Sequence, residues 1–424
     1  MFDQSRLNRR RMLQLSALTG AGMLGANRIG AARAQDAPSG KISYWHHFTS
    51  ETEMAGMARV IEGFKTSAPG VEVVAENIPN ADYMAKFTSA ALANSLPDTA
   101  MVTVDRLPDI YGMDAVLPLN QWYDTWDLKD AFAPSVWEGA TIDGQLYGIP
   151  SFMFVNWMYY RKDWFEEAGI AGPPTTWQEF VDAAIKLTDP AKGRYGFGLR
   201  GGDGGEGALL QLMQAFGASF VDDSGCANFG TDAAAEALAS YTELFTVHKA
   251  APPSAPNDSF RQVMEAFETG QTGMILHHTG SLTEVTAALG ENVMTAKWPS
   301  GPAGFISWTQ PQYNSLTKED NAEAGWAWLS EWGKADVEVG FLEETGYFPP
   351  NQQVATNPTI TGNPLYNAAV ETLSEGTLPP RFAGYPGWSK QTVLPEFQQV
   401  LIGEKSAADA AQAMAEGLKT ATGC

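Results

Sequence analysis

An α/β fold in two lobes is predicted by three features of the chain. Strand-type and helix-type segments alternate from Lys41 onward, and the 424 residues exceed what one hydrophobic core supports. The third is a Gly/Pro-bounded stretch, Asp143 to Thr188, that sets out a strand and two short helices in order.

Lys41–Trp45 (KISYW) is built of β-type residues and reads as the first strand. Glu51–Ser67 follows with apolar residues at Met54, Met57, Ala58, Ile61 and Phe64, a helical spacing, until Pro69-Gly70 stops it. Val71–Ala75 is a second strand, Asp82–Ala93 a helix, and Asp98–Val104 a third strand that ends at Asp105. Such repeats build a mostly parallel sheet, which meets ligands at the loops beyond the carboxyl ends of its strands. Further on, Glu206–Phe216 and Asn321–Gly333 read as helices, and Met274–Ser281 as a strand running into a loop.

The first 34 residues read as a signal peptide outside the fold. Asn8-Arg9-Arg10-Arg11-Met12-Leu13-Gln14 fits the twin-arginine export pattern, and Ala32-Arg33-Ala34 offers a cleavage site. The apolar run between them, broken by Gly20, Gly22 and Gly25, is too short to span a bilayer. No Cys stands at the cleavage point to carry a lipid anchor, so a free periplasmic monomer starting near Gln35 is expected.

Without the leader's six Arg and one Asp, the chain keeps 21 basic and 48 acidic residues, a formal net charge of −27. That balance argues against nucleic acid or an anionic membrane surface as partner. Thirteen Trp, thirteen Tyr and 21 Phe exceed what packing requires, and aromatic faces suit the C–H faces of sugar rings. Cys226 and Cys424 are a candidate disulfide in an oxidising compartment, where a bond would staple the C-terminus onto the second lobe. No cofactor motif is present.

The Asp143–Thr188 stretch, DGQLYGIPSFMFVNWMYYRKDWFEEAGIAGPPTTWQEFVDAAIKLT, resembles the segment where family 1 extracellular solute-binding proteins cross from their first lobe into their second. These are ligand-capture subunits of bacterial ABC importers, many of them for sugars. Other segments are similar to the family in the same order: the opening strand, helix and second strand, then Arg194–Leu199 with its glycine turn, Phe267–Met274, Trp298–Gly304 and Thr345–Pro350. The resemblance implies a fold like type II periplasmic binding proteins, with lobe one at 35–153 plus 299–343 and lobe two at 154–298 plus 344–424. A hinge would join the lobes, and the cleft between them would close on ligand. It also implies capture of a carbohydrate for delivery to permease subunits, and Arg381, if it faces the cleft, would suit an anionic sugar such as a uronate or sulfo-sugar.

Candidate ligand-binding residues stand at the strand ends and at the family's return segments. His46 and His47 follow the first strand, where they can exchange hydrogen bonds with hydroxyls or meet an anionic group. Adjacent side chains on extended backbone point apart, which disfavours a shared metal ion. Asn77 follows the second strand; Asp105 follows the third, where it accepts from a diol, caps the next helix or pairs with Arg106. Gly202, in the run Gly201–Gly205, offers a backbone amide at a helix start, and no Lys-Ser/Thr follows to make a nucleotide loop. His278, Thr279 and Ser281 leave the later strand, where alternation lets one of His277 and His278 face the cleft. Trp308 is a stacking candidate, and Arg381 and Trp388 lie in a rigid aromatic loop whose guanidinium suits a carboxylate, phosphate or sulfonate. Each has a structural alternative in a solvated loop, core packing or a surface ion pair. A binder of another solute, such as a polyamine or phosphodiester, and an exported glycoside hydrolase or lyase are the competing readings. No G-x-S-x-G or H-E-x-x-H supports the enzyme.

Overall fold

The structure, a computed structural model, describes Pro38–Cys424 apart from Ala81 and Ser374; the signal-peptide reading of residues 1–34 lies outside the described residues. The strands among them are β1 (Gly40–His46), β2 (Val71–Asn77), β3 (Thr99–Thr103), β4 (Thr141–Ile142), β5 (Gln145–Leu146), β6 (Ile149–Arg161), β7 (Tyr195–Phe197), β8 (Thr272–His278), β9 (Val293–Ala296) and β10 (Thr309–Leu316). The main sheet runs β2-β1-β3-β10-β6-β8-β7 with β9 also on β6, while β4 and β5 form a separate pair. β1 is parallel to β2 and β3, and β7 to β8, as strand–helix–strand repeats require. β6 and β10 run antiparallel to their neighbours. The sheet is therefore mixed rather than mostly parallel, because the strands that join its two halves run against the rest.

β6 is the joining element. Its residues, IPSFMFVNWMYYR, are buried along nearly their whole length, as expected of an apolar run covered on both faces. Its first half, Ile149–Val155, pairs with β10, and from Asn156 onward its partners are β8 and β9. One buried cluster gathers the helix Glu51–Ser67, most of β6 and the helices Ala322–Trp332 and Ala335–Thr345. A second holds the end of β6 together with the C-terminal helices, and a third surrounds Trp45, Phe87, Ile110 and Tyr147. Each fully buried large side chain, such as Trp157 or Phe267, contributes about 1.5–3 kcal/mol.

The apolar run of β6 is broken at the point where its partners change. Asn156 Nδ2 donates to Gln211 Oε1 at 2.7 Å, and Asn156 Oδ1 accepts from Gln310 Nε2 at 2.9 Å. The Asn156 backbone N–H donates to the Trp308 carbonyl at 2.9 Å, and the Asn156 carbonyl accepts from Ser307 Oγ at 2.6 Å. Gln211 Oε1 also accepts from the Trp308 N–H at 3.0 Å. One residue thus ties β6, the start of β10 and the helix Gly205–Ala215 together.

The helix Glu51–Ser67 has the predicted bounds, but its buried face is Gly56, Met57, Val60 and Phe64, leaving Met54 exposed. Gly56 sets this rotation, since a Cβ there would lie 2.8 Å from the Phe341 ring. Cys226 and Cys424 are bonded, with Cα atoms 5.3 Å apart and a sequence separation of 198. Among the described residues no helix is long and apolar enough to cross a membrane.

Closing so long a loop stabilises the fold by about 5 kcal/mol on the chain-entropy account. Cys424→Ser is expected to melt several degrees lower than the parent and to lose its response to reductant; equal melting temperatures would contradict this. Asn156→Leu is expected to lower the urea midpoint by an amount worth about 2 kcal/mol, because it leaves Gln310 Nε2 without its acceptor and takes one of two donors from Gln211 Oε1. An unchanged midpoint would show that this network contributes nothing.

Candidate functional site

A cleft of about 900 Å³ opens beyond the carboxyl ends of β1, β3 and β8. Its floor carries Phe154 of β6 with Gln310 and Gln312 of β10, two glutamines on one face of their strand. One wall holds His47, Asn80, Thr103, Asp105 and Arg106; the other holds Arg200, Phe260, Arg261, His278, Ser281 and Glu284, and Tyr347 reaches in beside them.

The first wall is fixed by a helix start. Ser50 caps the helix Glu51–Ser67, its Oγ accepting from the Glu53 N–H at 3.2 Å, and Glu53 Oε2 accepts in return from the Ser50 and Thr49 N–H groups at 2.8 Å each. Glu53 Oε1 accepts from Tyr347 Oη at 2.5 Å, so the same carboxylate holds a residue 294 positions away. Burial pushes the Glu53 carboxyl up, but these hydrogen bonds outweigh it and hold the group below the usual range. His47 is lowered to about 4, first by burial and then by the Arg106 guanidinium, and is a neutral ring. It stands edge-on to Tyr83 at 6.0 Å, and Arg106 lies over the same ring at 5.8 Å.

On the second wall His278 is lowered to about 3, by burial and then by Arg200. Its Nδ1 accepts from the Gly280 N–H at 3.1 Å and its ring packs on Phe154 at 4.5 Å. Arg200 Nε donates to the Asp203 carbonyl at 2.7 Å, and Gly204, at φ +85°, leaves the room its guanidinium occupies: a Cβ there would fall 1.9 Å from Nη2. Arg261 pairs with Glu284 at 2.7 Å and lies over Phe260 at 4.5 Å.

Among the described residues, four cleft-lining side chains keep a buried polar atom without a hydrogen-bond partner: His47 Nδ1, Thr103 Oγ1, Arg106 Nη1 and Gln312 Oε1. Unpartnered buried groups of this kind cost about 1–3 kcal/mol each. Other such atoms among the described residues lie elsewhere in the fold, several on buried tryptophans, and these four share one cleft. No group of three or more His, Cys, Asp or Glu among the described residues could hold a metal ion.

Of the residues that the sequence nominates, His47, Asp105, His278 and Ser281 line the cleft. His46 is buried beside them, its Nδ1 accepting from the Phe48 N–H at 3.2 Å, and His277 packs against Phe260 rather than lining the cleft. Asn77 is exposed at the end of β2, outside the lining, and Asn80 stands there instead. The Gly202 amide is not free: it donates to the Asp258 carbonyl at 2.8 Å, and a Cβ would meet the Asn257 carbonyl, so packing requires this glycine. Thr279 Oγ1 accepts from the Val155 N–H at 3.3 Å. Trp308 is core, its Nε1 donating to Gln214 Oε1 at 2.7 Å. Arg381 Nη1 donates to the Glu138 carbonyl at 2.7 Å and Trp388 Nε1 to the Met414 carbonyl at 2.9 Å, which clamps the aromatic loop away from the cleft. Arg106, Arg200, Arg261, Tyr347 and the two glutamines were not nominated. Arg106 directly follows Asp105 and was available from that position; Tyr347 had no local signal.

A family model described as bacterial extracellular solute-binding protein matches residues 49–304. A putative binding protein of Brucella abortus (strain 2308) is 25% identical over 338 residues, 78% of this chain and 80% of its own length. The mannitol-binding protein of Pseudomonas aeruginosa is 28% identical over 293 residues, 64% of this chain and 65% of its own. The solved GacH receptor of Streptomyces glaucescens aligns with a TM-score of 0.81 at 23% identity, covering 91% of this chain and 99% of that one, and so shares the fold.

His47 and His278 bind protons less readily folded than unfolded, so their contribution to stability declines as pH falls from about 6.5 toward 4. An NMR pH titration of the ring signals should find midpoints near 4 for His47 and near 3 for His278. A midpoint near 6.5 for either would show a solvated ring.

Proposed function

We propose a function on one premise: the chain belongs to the bacterial extracellular solute-binding proteins. Its cleft captures a carbohydrate or polyol, and the protein serves as the binding subunit of an ABC importer. The observation that carries this reading is the set of four unpartnered polar atoms in one cleft, of mixed donor and acceptor type. Ligand hydroxyls both donate and accept, so one polyhydroxylated molecule can satisfy all four. Neutral His47 and His278 suit the same task, because an uncharged imidazole also offers one donor and one acceptor. The rings of Phe154, Phe260 and Tyr347 add apolar surface for the C–H faces of a sugar. The name of the mannitol-binding relative points to the same ligand class.

In this reading the lobes are 35–153 plus 299–343 and 154–298 plus 344–424, and β6 crosses between them just before Asn156. Ligand favours a closed form only through contacts with both walls, which His47, Asp105 and Arg106 on one side and Arg200 and His278 on the other supply. The closed form then docks on the permease. Residues 1–34 carry the protein out by the twin-arginine route and are removed, leaving a free periplasmic monomer without catalytic activity.

A thermal-shift screen against neutral sugars, uronates, polyols and polyamines tests the class. A ligand at a hundred times its Kd stabilises by about 2.7 kcal/mol. A rise with a sugar or polyol is expected, and Gln312→Ala should weaken that ligand about tenfold. A rise with polyamines alone would sink the carbohydrate assignment.

A further inference from the structure

The charged groups that line the cleft, three arginines and four carboxylates, differ in how they are held. Arg261 is paired with Glu284, and Glu53 has its oxygens occupied by Ser50, Thr49 and Tyr347. Glu51 sits at the exposed rim, in the first turn of its helix. Among the described residues Arg106 and Arg200 take part in no ion pair. Arg106 Nη2 reaches the Asn80 carbonyl at 3.5 Å, and its Nη1 is buried without an acceptor. Arg200 uses Nε on the Asp203 carbonyl, while the nearby carboxylates of Asp203 and Glu206 are held by Lys390 at 2.5 and 3.0 Å. Asp105 and Glu53 are the interior carboxylates of the lining, and neither forms an ion pair with these two guanidinium groups.

The two arginines also stand on opposite walls. Each is close enough to a histidine to act on it electrostatically, Arg106 on His47 and Arg200 on His278, and these neutral rings do not balance the charge. A guanidinium presents parallel N–H groups that match two oxygens of a carboxylate, sulfonate or phosphate. A buried guanidinium that keeps N–H groups without acceptors is costly, as at Arg106 Nη1, even with carboxylates near, as Asp203 and Glu206 are to Arg200.

We infer that the ligand is an anionic carbohydrate whose oxyanion group bridges Arg106 and Arg200 across the cleft. The inference rests on the carbohydrate reading above and adds the charge. Because one group on the ligand touches both walls, that group is what makes closure depend on ligand. The sugar hydroxyls then fall to His47, Asp105, His278 and Gln312.

Isothermal titration with matched probes tests it: glucose, galactose and mannose, each beside its uronate, 6-sulfate and 6-phosphate. In at least one ring series the anionic member should bind at least tenfold more tightly than its neutral parent, and the arms identify which oxyanion is preferred. Arg106→Gln and Arg200→Gln should each weaken the anionic member by a larger factor than its neutral parent, so that the preference falls at least several-fold, and Arg→Lys should restore part of it. Melting without ligand checks that the variants fold; if one does not, the comparison within the parent protein still decides. Neutral members binding as well as anionic ones in every series would overturn the charge inference and leave the carbohydrate reading standing. Binding of no sugar of either charge would overturn both.

Discussion

The side-chain amide of Asn156 is the contact on which the arrangement of this molecule depends. A strand that serves two half-sheets must change partners somewhere, and at that point the regular ladder offers fewer backbone bonds. Asn156 fills the gap with both ends of its amide, one on Gln211 and one on Gln310, while its backbone takes Ser307 and Trp308. Buried polar groups satisfied in this way specify one geometry, because any slip leaves an amide unpaired in a low-dielectric interior. Gln310 is also on the cleft floor, so the crossing point and the ligand surface share a residue.

The walls inherit their positions from ordinary local chemistry. The capping box at Ser50 and Glu53 exists to start a helix, yet the spare oxygen of Glu53 holds Tyr347 and fixes the rim. The histidine rings pack among aromatic neighbours and shed their charge. The polar atoms left without partners at the centre are therefore confined to a few positions, and a ligand has to complete them.

Much of the strand and helix order was legible because the signals were local and redundant. The helix from Glu51 had an apolar period, a capping pair and a Pro-Gly stop, and its bounds match. Its rotation was less legible: Met54 fits the period, but Gly56 admits Phe341 and turns the buried face toward Met57, Val60 and Phe64. Strand ends were informative about the cleft, which is why His47, Asp105 and His278 line it. Composition misled at Trp308, Arg381 and Trp388. An aromatic or a lone cation in a rigid loop looks like ligand chemistry, but all three are committed to protein acceptors.

Residue order alone makes legible an α/β chain with a crossing segment at Asp143–Thr188 and polar side chains where its strands end. Periodicity, capping residues and apolar runs act over a few residues, and those forces are readable in order. Which polar groups keep a free atom is settled by packing between distant parts of the chain. Arg106 and Gln312 each keep an unpartnered atom at the cleft, while Arg381 and Gly202 are consumed by Glu138 and Asp258, partners far away in the chain. The reason is physical: a hydrogen bond is settled by which distant acceptor packing brings within about 3 Å, and no local pattern encodes that distance.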